Sequence, residues 1–295
     1  MDTEKFAPLN LNPGEIIEYT YEWKGERFAD GRPKVPDSLL ERVGHVTLTQ
    51  AWGVLRNAGY HWQYEDGFVC THPGQTLVGR ALTAMYVPRR PDMRALMEEK
   101  GARLGCIGDQ ISWPIDMLVP GDVYVADVYG KHEEGPIIGD NLSTAIYAKS
   151  GKGVVHDASV RDIDGIQEIP GFASFVRGFH PTYASPTIML VGVNCPIRIG
   201  QATVMPGDVV LGQHNGVVFI PPHLVENVVR TSELVRLRDM FGKQRLQEGK
   251  YTPGQIDARW NDEIEADFSG WLEDHIDALP VPRDAIQELL QERTW

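Results

Sequence analysis

The segment Gly139-Asp140-Asn141-Leu142-Ser143-Thr144-Ala145-Ile146-Tyr147-Ala148-Lys149-Ser150-Gly151-Lys152-Gly153-Val154-Val155-His156-Asp157-Ala158-Ser159-Val160-Arg161-Asp162 reads as a helix, a turn and a buried strand. Asn141 to Lys149 carries the helical pattern, Gly151 and Gly153 bracket its exit, and Gly153 to Asp157 forms a short apolar strand. A helix feeding a buried strand through a tight turn belongs to an α/β fold. The strand then delivers Arg161 beside Asp162, with twenty residues separating Arg161 from Asp140.

These residue types combine two kinds of chemistry. A guanidinium can hold a carboxylate through two parallel hydrogen bonds. A neighbouring Asp oxygen suits a hard divalent cation such as Mg²⁺, and a second carboxylate could hold metal-bound water. Asp140 at the start of the helix has a capping role to play, and the same helix start offers backbone N–H groups that receive anionic oxygens. Gly139 before it permits close backbone approach to a ligand. Arg161 and Asp162 follow a buried strand, where open α/β sheets commonly place ligand groups; a plain surface ion pair would use the same two residues.

On the N-terminal side of this segment, residues 1 to about 36 are rich in Pro, Gly, charge and aromatics, and read as an arm lying on the domain or on a neighbouring subunit. A helix begins near Pro36-Asp37-Ser38, and a second runs from Thr49 to Ala58 and stops at Gly59. Thr76 to Val87 alternates as a strand, and Met93 to Lys100 is a helix closed by Gly101. Val119-Pro120-Gly121-Asp122 is a turn feeding the strand Val123 to Asp127. On the C-terminal side Ile188 to Val193 is an apolar run. Met205-Pro206-Gly207-Asp208 repeats the earlier turn before Val209 to Gly212, and Val217 to Ile220 stops at Pro221-Pro222. His223 to Phe241 is helical, and in the acidic tail Ile264, Phe268, Trp271, Leu272 and Ile276 recur at helical spacing, a pattern of packing or subunit contact.

The 295 residues suffice for one large domain with appendages or for two domains. A formal charge of −13 argues against broad nucleic-acid binding, which needs a basic face, yet leaves room for an anionic substrate near a local Arg. Met1-Asp2-Thr3-Glu4-Lys5 lacks the basic start and apolar run of a signal peptide, and no apolar stretch reaches the roughly 20 residues of a membrane helix. Cys70, Cys106 and Cys195 are too few and too scattered for a disulfide framework or a zinc knuckle, so a reduced cytoplasmic setting is the expectation.

Pro120-Gly121-Asp122-Val123, Gly139-Asp140, Gly153-Val154-Val155, Val160-Arg161-Asp162 and Pro206-Gly207-Asp208-Val209, ending in Asn215-Gly216-Val217-Val218, resemble the RraA-like family. That family includes the regulator of ribonuclease activity A and the class II 4-hydroxy-4-methyl-2-oxoglutarate aldolases, whose mark is an Asp, twenty intervening residues, then Arg-Asp. The resemblance runs from about Ser38 to Val229. It implies a compact fold, an α/β/β layered domain over 37–230 with a β-rich centre. The arm over 1–36 and the helical extension over 231–295, read as subunit contact, are additions seen in the sequence itself, and the long tail after Phe241 has no counterpart in compact members of the family. It implies a homotrimer or homohexamer with sites at subunit boundaries. It also implies roles: Asp162 binds Mg²⁺ or Mn²⁺ and Arg161 holds the substrate carboxylate. Asp140 orients metal-bound water, and backbone N–H groups of Asn141, Leu142 and Ser143 cradle the oxo-acid end. The activity implied is cleavage of a 2-oxo acid through a metal-stabilised, pyruvate-like enolate, as in an aldolase or an oxaloacetate decarboxylase.

The chain departs from the family pattern at Gln213-His214-Asn215-Gly216, where an acidic pair is common, and at Asp157-Ala158-Ser159, where Asp-Gly is common. The family's aldolases take an acid from a neighbouring subunit's C-terminal region, for which Glu233 and Asp239 are the candidates. His214 is a candidate general acid in the cleft. His132-Glu133-Glu134 reads as a solvated loop, because His-Glu-x-x-His spacing is absent, and His156 as a core or supporting residue. No nucleophile elbow, Walker loop or dinucleotide fingerprint is present. The expectation is thus a divalent-metal lyase acting on a small oxo acid, with no nucleic-acid or membrane partner. Two alternatives stand beside it: dehydration or hydrolysis of a sugar-acid derivative at the same metal site, and a non-catalytic regulator of a ribonuclease.

Overall fold

The computed structural model describes residues 12–214 and 216–292, so residues 1–11 of the arm and Asn215 lie outside the described residues. The strands are β1 Tyr64–Glu65, β2 Val69–Cys70, β3 Leu77–Pro88, β4 Asp122–Lys131, β5 Val154–Val160, β6 Ser174–Phe179, β7 Ile188–Val193, β8 Ile197–Ile199, β9 Ala202–Val204, β10 Val209–Gln213 and β11 Gly216–Ile220. The helices are α1 Pro13–Tyr19, α2 Asp37–Val43, α3 Leu48–Asn57, α4 Pro91–Leu104, α5 Trp113–Asp116, α6 Asp140–Ser150, α7 Ile163–Gln167, α8 Val225–Gln247, α9 Pro253–Ile256, α10 Asp262–His275 and α11 Arg283–Glu292.

The main sheet runs β1-β11-β10-β3-β4-β5-β6-β2, with β7 also on β3. Its centre, β3 to β6, is parallel, because each connection crosses through helices α4 to α7. Strands covered on both faces divide their side chains by period 2. Leu82, Tyr124, Val154 and Val160 face a core shared with Met97, Trp113, Ile146 and Ile166 of the helices. Ala81, Val123, Val125, Val155 and Phe175 face the opposite core, shared with Ile197, Ile199, Val204 and Phe219. Helices, sheet and the small β8-β9 ribbon therefore make the α/β/β layering. The sheet also curls, because its two outermost strands β1 and β2 are joined by residues 66–68 alone. Arg177 of β6 fastens that curl by donating to Glu65 Oε1 at 2.8 Å and to the Asp66 carbonyl at 2.6 Å, with its guanidinium 4.1 Å from the Phe68 ring centre.

Two helix boundaries differ from the expectation, and the arm takes one of the two places expected for it. Helix α4 runs through Gly101 and ends at Gly105, whose φ of 78° supplies the left-handed stop. Gly101 is required for packing instead, since a β-carbon there would stand 2.2 Å from the Trp113 ring. Helix α6 starts at Asp140, with Gly139 as the N-cap residue. The arm carries helix α1 and then folds onto its own domain: Arg32 Nη1 and Nη2 donate to the two oxygens of Asp122 at 3.0 and 3.1 Å, and both side chains are sealed from solvent.

The two Pro-Gly-Asp turns are twins. Gly121 and Gly207 have φ of 87° and 86°, and each turn closes with its Asp N–H on the carbonyl three residues back. Asp122 Oδ2 accepts from the Val119 N–H at 3.0 Å, and Asp208 Oδ2 from the Met205 N–H at 2.8 Å.

The chain divides into two compact units, one ending at Glu226 and the next beginning at Asn227. The second unit builds its own core from Phe241, Trp260, Phe268, Trp271 and Leu272, so the helical spacing in the tail reflects packing. No helix among the described residues is long and apolar enough to cross a membrane.

Candidate functional site

Strand β5 ends at Val160, and the next two residues are Arg161 and Asp162. Asp162 takes a left-handed backbone, φ 57° and ψ 43°, and caps α7. Asp tolerates that conformation better than most residues, and the bend ends the strand abruptly while leaving both side chains partly in solvent. The Arg161 side chain is 41% exposed and that of Asp162 46%, with Arg161 Nε 3.2 Å from Asp162 Oδ2. Tyr183 supports the guanidinium, its ring centre 5.8 Å from Cζ.

Gly139 is what brings the two halves together. The Arg161 N–H donates to the Ile138 carbonyl at 3.4 Å, so the loop entering α6 lies against the end of β5. A β-carbon on Gly139 would stand 2.2 Å from Asp162 Oδ2 and 3.0 Å from Arg161 Nε. Only a residue without a side chain allows that approach. Asp140 begins α6 beside the pair and is held from its other side by Gly165 of α7, where a β-carbon would come within 2.8 Å of Asp140 Cβ. Asp140 Oδ1 accepts the Asn141 N–H at 2.7 Å. Gly139, Asp140, Arg161 and Asp162 are thus gathered at the C-terminal edge of the parallel strands, with the first turn of α6 beside them.

Because α6 starts one residue earlier than the sequence suggested, the donor set changes. The Ser143 N–H is the fourth of the helix and bonds the Gly139 carbonyl at 3.0 Å, which removes it from the expected cradle. Asn141 and Leu142 remain in the first turn, with Asn141 shared with its neighbour's carboxylate.

His214 stands elsewhere. It turns the β10–β11 hairpin with φ 53°, and β10 runs antiparallel to β3, with Gly212 opposite Leu77 at the start of that strand. His214 therefore sits at the entry end of the parallel strands, while Arg161 and Asp162 sit at the exit end. It lines a cleft of 1030 Å³ with Thr47, Trp52, Tyr64 and Cys70. Within one chain the fold separates it from Asp140, Arg161 and Asp162. His156 is fully buried, edge-on to Tyr124, and burial pushes its imidazole down to about 3, which fits a core residue. His132 is exposed, its ring 5.8 Å from that of His180. Glu233 is buried and Asp239 exposed on α8 in the second unit.

Two neighbours escaped the sequence reading. His180 donates its N–H to the Val160 carbonyl at 2.9 Å, and Tyr183 flanks Arg161. Both follow β6, Ser-Phe-Val-Arg-Gly-Phe, and Tyr183 lies 22 positions from Arg161, so no local signal pairs them. Among the described residues no group of three or more His, Cys, Asp or Glu side chains is gathered as a metal cage. The donors at this edge nevertheless fit Mg²⁺ or Mn²⁺ held by one or two carboxylates with water completing the shell, and do not fit a structural zinc site.

A family model described as RraA-like (Aldolase/RraA) matches residues 46–219. Protein DlpA of Legionella pneumophila is 26% identical over 188 residues, which span 63% of this chain and 28% of that protein. A protein of Halalkalibacterium halodurans named as a putative 4-hydroxy-4-methyl-2-oxoglutarate aldolase is 32% identical over 129 residues, 44% of this chain and 60% of that one. The chain thus spans 28% and 60% of the lengths of these relatives. Among solved structures, an uncharacterized protein from Pseudomonas syringae pv. tomato superposes with a TM-score of 0.61 at 24% identity, covering 77% of this chain and 100% of that one. Streptomyces coelicolor RraAS2, described as an unusual member of the RNase ES inhibitor RraA protein family, gives 0.60 at 23% identity, covering 72% and 98%. At such identities the likeness is one of fold.

Proposed function

The chain belongs to the RraA-like family, and from that premise we propose that it is a divalent-metal-dependent lyase that breaks a carbon–carbon bond next to a 2-oxo acid group, as an aldolase or decarboxylase. The observation that carries the reading is the contact across Gly139, which brings the half-exposed Arg161–Asp162 pair against the start of the helix that Asp140 opens. Pure scaffolding gives no reason to hold an Arg and two carboxylates there.

Arg161 grips the substrate carboxylate with paired N–H donors, and Tyr183 keeps the guanidinium extended. The first-turn N–H of Leu142 faces the negative end of the oxo acid, the Asn141 N–H being given to Asp140 Oδ1. Asp162 holds Mg²⁺ or Mn²⁺, and Asp140, with one oxygen occupied by the Asn141 N–H, turns the other toward a water. When bound, the cation supplies positive charge against the negative charge that gathers on the 2-oxo oxygen as the bond breaks. The half-exposed setting leaves the leaving fragment a path to solvent.

In the same reading residues 231–295 make contact between copies in a homotrimer or homohexamer, and Glu233 or Asp239 supplies an acid to a neighbour's site. Mixing the inactive variants Asp162→Ala and Glu233→Gln then restores part of the activity, and no recovery with either Glu233→Gln or Asp239→Asn counts against it. The reaction itself is tested by pyruvate release from 4-hydroxy-4-methyl-2-oxoglutarate and from oxaloacetate, with Mg²⁺, with Mn²⁺ and after EDTA. Metal binding without pyruvate turns the proposal toward dehydration or hydrolysis of a sugar-derived acid. Silence without metal binding leaves the ribonuclease-regulator alternative.

A further inference from the structure

The twin Pro-Gly-Asp turns end in carboxylates of very different surroundings. At Asp122 the guanidinium of Arg32 donates to both oxygens, and Arg32 Cζ also lies 5.0 Å from the centre of the Phe28 ring. A cation thus meets a carboxylate and an aromatic face together. Asp208 is just as deeply placed, 1% exposed, yet it forms no ion pair among the described residues and accepts one side-chain hydrogen bond, from the Met205 N–H. It borders a cleft of 440 Å³ whose walls include Trp23, Tyr60 and Trp62, with Glu22 at the exposed rim. His223 also lines it, its Nε2 3.3 Å from the Tyr60 hydroxyl.

We propose that this cleft binds a small organic ammonium ion, whose charge meets Asp208 as Arg32 meets Asp122 and whose carbon groups lie against the aromatic walls. An ionised carboxylate held away from water without a partner is costly, and burial accordingly pushes the Asp208 carboxyl up to about 7. A cation beside it removes that cost. Indole and phenol faces attract the same charge, most strongly where the ion is alkylated and weakly hydrated. The cleft is of the volume that small ligands occupy. Glu22 adds a second negative charge at the entrance and biases the cleft further toward cations. The site lies on the turn before β10 and the loop before β1, and shares no residue with the Arg161 edge.

Calorimetric titration of the full chain at pH 8 and fixed ionic strength tests the proposal, with choline as probe and its neutral isostere 3,3-dimethylbutan-1-ol as control. The expected result is saturable choline binding, at least tenfold tighter than the isostere, that weakens tenfold or more in Asp208→Asn and a few-fold in Glu22→Gln. Asn keeps an oxygen for the Met205 N–H, so the turn should survive. Should Asp208→Asn fail to fold, the isostere comparison and Glu22→Gln decide. No choline binding, equal affinity for the isostere, or choline binding unchanged in the variants overturns it.

Discussion

Two Arg–Asp pairs in this protein share a chemistry and little else. Arg32 and Asp122 are sealed from solvent, joined through both guanidinium arms, and 90 residues apart in sequence. Arg161 and Asp162 are adjacent, nearly half exposed, and touch through one arm at 3.2 Å. The first pair engages all three guanidinium nitrogens inside the protein, with Nε on Asp30, and fixes the arm to the sheet. The second keeps two guanidinium nitrogens and a carboxylate oxygen for something else, on a backbone bent into the left-handed region. Burial and unspent hydrogen-bonding capacity, rather than residue type, separate an ion pair that holds a fold from one that can hold a ligand.

That contrast breaks most readily at its sealed end. Arg32→Ala leaves buried Asp122 with the Val119 N–H and the charge of Arg80 but without its ion-pair partner, and should cost about 3–5 kcal/mol in denaturant unfolding, with little change in activity per folded molecule; a loss near zero would erase the distinction. Asp208 comes next. Its folded-state pKa of about 7 lies above the usual carboxyl value, so its contribution to stability is fully present below about pH 4 and is lost as pH rises through 7. Measured from pH 4 to 8 against Asp208→Asn, the parent should lose on the order of 1 kcal/mol per pH unit up to neutrality, while Tyr60, Glu22 and His223 remain in both proteins. Arg161→Lys keeps the charge and loses the paired donors. It should lower kcat/KM by about 2–4 kcal/mol in transition-state binding while shifting unfolding free energy by less than about 1 kcal/mol, since exposed pairs contribute little. Gly139→Ala is the finest probe. Its β-carbon collides with the movable Asp162 carboxylate, so activity should fall roughly tenfold, about 1.4 kcal/mol, with the fold intact. Unaltered kinetics in that variant would deny the close approach any role.

Much of the α6–β5 unit was legible because its signals are local. Gly151 and Gly153 bracket a turn, Val154-Val155 reads as buried strand, and Arg161-Asp162 follows directly. Gly101 misled for a physical reason: a glycine demanded by the Trp113 ring looks the same in sequence as one that ends a helix. Strand β6, absent from the sequence reading, is buried on both faces yet carries Arg177 and Gly178, and Arg177 is satisfied by Asp157 and Glu65 from other strands. Long-range pairing likewise hid the place of His214, since only the register of β10 on β3 puts it at the opposite end from Arg161. The Arg32–Asp122 pair, spanning ninety positions, left no local trace. Of the candidate site, Asp140, Arg161 and Asp162 were singled out by residue type and by their match to the family's spacing, whereas the close approach of Gly139 to Arg161 and Asp162 needed coordinates.

In the proposed function the Arg161–Asp162 edge works with a divalent cation on an oxo acid. Pyruvate release from oxaloacetate and 4-hydroxy-4-methyl-2-oxoglutarate, measured side by side for the parent and Asp162→Ala with Mg²⁺ and with EDTA, tests it most directly. Metal-dependent pyruvate from at least one substrate is expected, abolished in Asp162→Ala with unfolding free energy nearly unchanged. Full activity in Asp162→Ala, or pyruvate release indifferent to EDTA, would contradict it.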